Sequence, residues 1–164
     1  MAVIEKGSFE VISRSPNQTR RVGMRLGELL QPGDVICLEG NLGSGKTTLV
    51  QGIASGWGSY DTVTSPSYVL VNVYRRLDQM LLFHLDAYRL SGPEEAIALD
   101  LEAMLSQGPL LVEWADRISQ ALPTEHLWFK MRAINDEQRD FIVNARGERH
   151  QEILGDFRED IYGG

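Results

Sequence analysis

The chain has 164 residues, 43% of them apolar, and a formal net charge of −7. That is enough sequence for one proper core and too little for a second substrate domain, so a single domain over residues 1–164 is expected. The acidic balance argues against a protein that grips DNA or RNA by itself, which takes clustered lysine and arginine. No apolar run approaches membrane-spanning length, and Met1 to Glu10 lacks the layout of a signal peptide. The lone cysteine, Cys37, reads as a buried thiol suited to a reducing cytosol, so a cytoplasmic location is expected.

In chain order, Phe9 to Ser13 reads as a short strand, and Asn17 to Leu30 as a helix with Val22, Leu26, Leu29 and Leu30 on one face. After the Pro32-Gly33 turn, Asp34 to Glu39 is a short apolar run with the character of a buried strand. It leads into Gly40-Asn41-Leu42-Gly43-Ser44-Gly45-Lys46-Thr47, which matches the phosphate-binding P-loop, G-x-x-x-x-G-K-[ST]. The glycines let backbone N–H groups converge on phosphate oxygens, and the helix that follows adds the positive end of its dipole. Lys46 is expected to reach the outer phosphates, Thr47 to offer its hydroxyl to Mg²⁺, and Thr48 to begin the helix. Lys6, Lys46 and Lys130 are the only lysines, so a lysine at this position is not one surface charge among many. Leu49, Val50, Ile53 and Trp57 recur at helical spacing, with Gly56 and Gly58 punctuating the end.

Tyr68 to Arg75 alternates, with Val69, Val71 and Val73 on one face, and forms a candidate antiparallel hairpin with the apolar run Met80 to Leu85. Pro93, Glu94 and Glu95 open a helix. Leu110 to Val112 is a short buried strand ending in Glu113, and the alternating segments Leu127 to Ala133 and Phe141 to Ala145 form a second candidate hairpin. Residues 148–161 read as a charged, weakly amphipathic helix. The whole predicts an α/β P-loop NTPase domain whose central sheet is mixed parallel and antiparallel and flanked by helices.

A P-loop binds phosphates, and chemistry also needs a carboxylate to hold Mg²⁺ and position a nucleophile. Asp86 and Glu113 each follow a buried strand, where the site of an open α/β sheet lies. Ser65-Pro66-Ser67-Tyr68, after the P-loop helix, suits either a surface turn or a switch loop that senses the terminal phosphate. His84, between Phe83 and Leu85, reads as a packed core histidine, and Trp114 as core or as a wall of the nucleotide pocket.

A GTPase is disfavoured: no lysine follows an asparagine in an N-K-x-D motif, and the only D-x-x-G, Asp160 to Gly163, falls in the terminal tail. A small-molecule or nucleoside kinase is the stronger rival, although its usual arginine-rich lid is not evident: the arginines occur singly or as the pairs Arg20-Arg21 and Arg75-Arg76. A non-enzymatic nucleotide sensor is a third class, weakened by the presence of both carboxylates.

Four segments together resemble the TsaE (YjeE) family: Gly-Asn-Leu-Gly-Ser-Gly-Lys-Thr-Thr at 40–48, Ser-Pro-Ser-Tyr at 65–68, His-Leu-Asp-Ala-Tyr-Arg-Leu at 84–90 and Leu-Val-Glu-Trp at 111–114. The resemblance runs from about Thr19 to Arg139. It implies a weak Mg²⁺-dependent ATPase that acts with the TsaD and TsaB proteins in forming threonylcarbamoyladenosine in tRNAs reading codons that begin with adenine. It implies ATP and Mg²⁺ as cofactors, contact with tRNA only through the complex, and no DNA or membrane partner. By position it implies Lys46, Asp86 and Glu113 as catalytic residues, with Thr47, Asp86 and Glu113 at the metal. Residues 40–48, Thr19, Trp114 and Arg139 would surround the nucleotide. The chain departs from the family pattern at Asn41, commonly Asp, and at Ser67, commonly Thr.

Overall fold

The structure, a computed structural model, describes residues 7–63 and 71–163. In chain order its elements are β1 (Ser8–Ser13), α1 (Pro16–Gly27), β2 (Val35–Glu39), α2 (Lys46–Trp57), β3 (Val71–Arg75), β4 (Leu81–Asp86), α3 (Pro93–Ile97) and α4 (Leu101–Leu105). They continue with β5 (Leu110–Glu113), a 3₁₀ segment (Ala115–Ala121), β6 (His126–Ala133), β7 (Arg139–Arg146) and α5 (Glu148–Tyr162). The Ser65-Pro66-Ser67-Tyr68 segment lies outside the described residues.

The described strands form one sheet in the order β1-β7-β6-β2-β5-β4-β3. Its centre, β6-β2-β5-β4, is parallel, and its flanks are the antiparallel pairs β1–β7, β6–β7 and β3–β4. This is the mixed α/β sheet expected, with both hairpins where the alternation put them. β2, which delivers the P-loop, is central and apolar on both faces because helices cover both.

Period-two alternation divides each central strand between two cores. Ile36, Leu38, Leu82 and Leu111 face α1, α2 and α5, where Leu26, Leu49, Ile53 and Phe157 complete one apolar layer. Val35, Cys37, Leu85, Leu110 and Val112 face the other side, closed by Leu90, Leu101 and Ile118. Cys37 is fully buried, and burial pushes its thiol pKa up, away from reactive thiolate. Among the described residues no helix is long and apolar enough to cross a membrane.

Several boundaries differ from the sequence reading. Helix α1 is capped by Ser15, whose Oγ accepts the Gln18 N–H, and stops at Gly27 rather than Leu30. Its exit tightens, with the Leu29 N–H donating to the Leu26 carbonyl three residues back. Helix α2 starts at Lys46, two residues before Thr48, because left-handed Gly45 (φ 100°) already turns the chain into it. Gly56 lies inside α2 rather than at its end. A Cβ on Gly52 would stand 2.2 Å from the Arg20 carbonyl oxygen, and one on Gly56 2.0 Å from that of Met24. These glycines therefore let α1 and α2 meet backbone to backbone, which fixes the helix that carries the P-loop. The helix opened by Pro93 is only five residues long and is followed by α4, whose Asp100 side chain accepts the Ala103 N–H. The 3₁₀ segment after β5 has no counterpart in the sequence reading. In β3 the alternation identified the strand but not its buried side: Val73 is 46% exposed, whereas Tyr74 is 3% exposed and faces α2.

Candidate nucleotide-binding site

The P-loop runs from the end of β2 into α2. Gly43 (φ 80°) and Gly45 (φ 100°) adopt left-handed backbone that side chains disfavour. A Cβ on Gly40 would lie 2.5 Å from both the Ser44 hydroxyl oxygen and the Met131 carbonyl oxygen, so the loop's first position also calls for glycine. Asn41, Leu42 and Gly43 are exposed along the outside of the loop, Leu42 by 76%. Thr48 is half-buried in the first turn of α2.

Lys46 is 5% exposed. Its ammonium donates to the Gly40 carbonyl at 2.5 Å, the Asn41 carbonyl at 2.9 Å and the Ser44 hydroxyl at 3.2 Å, which uses all three of its hydrogens. Burial lowers its pKa, and the nearby carboxylates of Glu113, Asp116 and Asp86 oppose that shift. The same ammonium stands 4.1 Å from the centre of the Trp114 ring.

Asp86 and Glu113 end β4 and β5 as directly paired residues of a parallel ladder. Alternation puts His84 and Asp86 on the Leu82 face and Glu113 on the Leu111 face, which is the α2 side of the sheet in both cases. Glu113 is 3% exposed, and its two oxygens have different partners. Oε1 accepts from the Thr47 hydroxyl at 3.2 Å, and Oε2 is paired with His84 Nε2 at 2.5 Å. Asp86 Oδ1 accepts the Tyr88 N–H at 3.0 Å. Burial raises the Asp86 pKa, with Glu113 adding to the rise while His84 and Lys46 oppose it. One hydroxyl and two carboxylates make a hard oxygen donor set, the kind that holds Mg²⁺ jointly with substrate phosphates. Among the described residues no cluster of three or more His, Cys, Asp or Glu is arranged to hold a metal without such help.

Trp114 leaves β5 in a left-handed conformation (φ 58°), an uncommon backbone for a bulky residue. That turn swings its ring toward Lys46 and packs it against Tyr88, with ring centres 4.9 Å apart and planes tilted by 51°. A cleft of about 340 Å³ beside the loop is lined by Gly40, Asn41, Trp114, Asp116 and Lys130 among others, a size suited to a small ligand. Arg139, distant in sequence, comes to the loop across the β6–β7 hairpin. Its Cγ and Cδ lie 3.6 and 3.8 Å from where a Gly45 Cβ would stand, and its guanidinium donates to the Asn135 and Gln138 carbonyls. Thr19 is buried in α1, its hydroxyl hydrogen-bonded to the Ser13 hydroxyl at 2.6 Å.

Between Phe83 and Leu85, His84 reads in the sequence as core packing. It is fully buried, yet both ring nitrogens are engaged: Nδ1 pairs with the Tyr74 hydroxyl at 2.8 Å and Nε2 with Glu113. The available signal was its position two residues before Asp86, which puts the two on one face of the same strand. Asp116, one of the carboxylates acting on Lys46, was also missed, because the 3₁₀ turn that brings it back leaves no periodic trace in the sequence.

A family model described as threonylcarbamoyl adenosine biosynthesis protein TsaE matches residues 13–141. The chain is 37% identical over 138 residues to the Bacillus subtilis protein named tRNA threonylcarbamoyladenosine biosynthesis protein TsaE, covering 84% of this chain and 85% of that one. It is 42% identical over 136 residues to the Streptomyces coelicolor protein of the same name, covering 79% and 92% respectively. The crystal structure of Bacillus subtilis YdiB superposes with a TM-score of 0.78 at 28% identity, covering 98% of this chain and 99% of that one.

Proposed function

The chain belongs to the TsaE family, and on that premise we propose that it is the ATP-binding and ATP-hydrolysing member of the machinery that forms threonylcarbamoyladenosine in tRNA. The observation that carries the proposal is the junction of the two halves of the site: the P-loop Thr47 donates to Glu113 at the end of β5. Phosphate cradle and strand-end carboxylate thus meet at one pair of side chains.

In this reading Gly40 to Thr48 cradle the phosphates of ATP with backbone N–H groups, and Lys46 exchanges its loop carbonyls for phosphate oxygens. Thr47, Asp86 and Glu113 would hold Mg²⁺, which would supply neutralising charge at the outer phosphates. Glu113, whose Oε1 faces Thr47, would in addition orient a water and accept its proton. Trp114 walls the nucleotide, and Thr19 and Arg139 flank it, Arg139 adding positive charge beside the loop. Ser65 to Tyr68 serve as the switch loop. Hydrolysis by the isolated chain is slow, and the protein works in the cytoplasm as a single P-loop domain with TsaD and TsaB, tRNA being reached through that complex. The net charge of −7 suits a subunit that leaves tRNA to its partners.

Steady-state ATP hydrolysis with and without purified TsaD and TsaB tests the proposal. Weak turnover that changes clearly when the partners are added supports it. Fast stand-alone transfer of phosphate to a nucleoside or sugar would overturn it in favour of a kinase.

A further inference from the structure

Three neighbouring strands each contribute one member to a buried polar line on the α2 side of the sheet: Tyr74 from edge strand β3, His84 from β4 and Glu113 from β5. The exposures of the three are 3%, 0% and 3%, so water does not satisfy these groups. Burying a line of this kind is costly unless every member is paired, and apolar side chains would fill the same space without that cost. We infer that Tyr74 and His84 are positioning residues for the Glu113 carboxylate, locking His84 in one tautomer and one ring orientation so that a single carboxylate oxygen is presented to the P-loop.

The direction of the line follows from what each group can donate. Ionised Glu113 only accepts, so His84 Nε2 carries the hydrogen directed at Oε2. A neutral ring then has a bare Nδ1, which accepts the Tyr74 hydroxyl hydrogen at 2.8 Å. The Asn72 side chain hydrogen-bonds the Tyr74 phenol in turn, from the position directly opposite His84 in the β3–β4 ladder. Each hydrogen from Tyr74 onward therefore points toward Glu113, and the ring nitrogen away from the carboxylate fixes which nitrogen donates to it. With Oε2 held, rotation of the carboxylate is stopped and Oε1 is left facing Thr47. A general base needs that constraint, since its lone pair must meet a water already placed by the phosphates.

The inference rests on the reading of Glu113 as the hydrolytic carboxylate, and a double-mutant cycle separates the two. Release of phosphate from saturating Mg-ATP is measured for His84→Leu, His84→Gln, Tyr74→Phe and Glu113→Gln, and for His84→Leu and Tyr74→Phe combined with Glu113→Gln. Mg-ATP affinity is measured alongside. His84→Leu removes the donor, and turnover is expected to fall ~10–100-fold with affinity nearly unchanged. His84→Gln keeps an N–H within reach of Oε2 and is expected to recover most of the loss. Tyr74→Phe deletes one hydroxyl and is expected to slow turnover ~3–10-fold. On the Glu113→Gln background neither substitution should change the rate more than about twofold, since the group they position is gone. Losses that multiply with Glu113→Gln, or a glutamine variant as slow as the leucine one, would overturn the positioning role while leaving Glu113 in place. A Glu113→Gln protein that turns over like the parent would instead remove the reading of Glu113 itself. If His84→Leu fails to fold, the Tyr74→Phe arm completes the same cycle.

Discussion

Asp86 and Glu113 are paired residues at the carboxyl ends of adjacent parallel strands, yet they are held in opposite ways. Glu113 has a partner on each oxygen, His84 and Thr47, and is nearly inaccessible. Asp86 is half-buried, with a backbone N–H from Tyr88 on Oδ1 and a pKa raised mainly by burial. A carboxylate gripped on both sides suits a fixed orienting role, and one left short of partners suits a ligand waiting for a cation.

That difference gives a pH dependence with a definite sign. A proton and Mg²⁺ compete for Asp86, so Mg²⁺-dependent ATP binding should weaken as pH falls through a range above 3.8, the ordinary aspartate value. The raised folded pKa also means that the folded state binds the proton more readily than the unfolded one, so ionised Asp86 lowers stability as pH rises through that window. Asp86→Asn, which keeps an oxygen for the Tyr88 N–H, should therefore melt higher than the parent at neutral pH while losing Mg²⁺-dependent binding. Thermal melts and titrations with and without Mg²⁺ check both halves, and a variant that melts lower would contradict the assignment.

Lys46 is buried and satisfied by its own loop, so its removal tests phosphate binding against folding. Lys46→Ala should weaken Mg-ATP binding at least ~10-fold, the loss of one or more charge-assisted hydrogen bonds. The far-ultraviolet circular dichroism should not change. Calorimetric titration is the direct check, and parent-like affinity in a folded variant would remove Lys46 from the phosphate site.

A second titrating group lies far from the site. His150 of α5 is buried, its Nε2 accepts the Val35 N–H at 3.0 Å, and Nδ1 has no hydrogen-bond partner among the described residues. Burial lowers its pKa below the ordinary 6.5. The unfolded chain then binds a proton that the folded chain refuses, so stability is lost as pH falls from 6.5 toward the folded value. Protonation would also place a hydrogen on Nε2 where it must accept. His150→Gln, which retains an acceptor for the Val35 N–H, should flatten the fall in melting temperature across this range. Parallel pH slopes in the two proteins would show that another group sets the acid limit.

The P-loop and the two strand-end carboxylates were legible in the sequence because each is written in consecutive residues: a glycine-spaced octad, and an acid at the end of an apolar run. The mixed sheet followed from two alternating hairpins around short apolar strands. What escaped depends on neighbours across strands. His84 reads as core from Phe83 and Leu85, and its link to Glu113 exists only because β4 lies beside β5. The valines of β3 gave its period, but Tyr74 is the buried side because an edge strand can hide one polar-tipped aromatic where a histidine meets it. Gly56 looked like a helix stop since composition cannot distinguish a break from a close approach, here to the backbone of Met24. The Ser65 to Tyr68 switch assignment falls outside the described residues.

One substitution at Glu113 separates nucleotide binding from hydrolysis. Glu113→Gln keeps the size of the side chain and removes its capacity to act as a base. This variant should bind Mg-ATP with near-parental affinity and release phosphate at least ~10²-fold more slowly, in the presence of TsaD and TsaB as in their absence. Parent-like phosphate release from Glu113→Gln would contradict it, leaving Glu113 as a buried strand end hydrogen-bonded to Thr47 and His84 for structure alone.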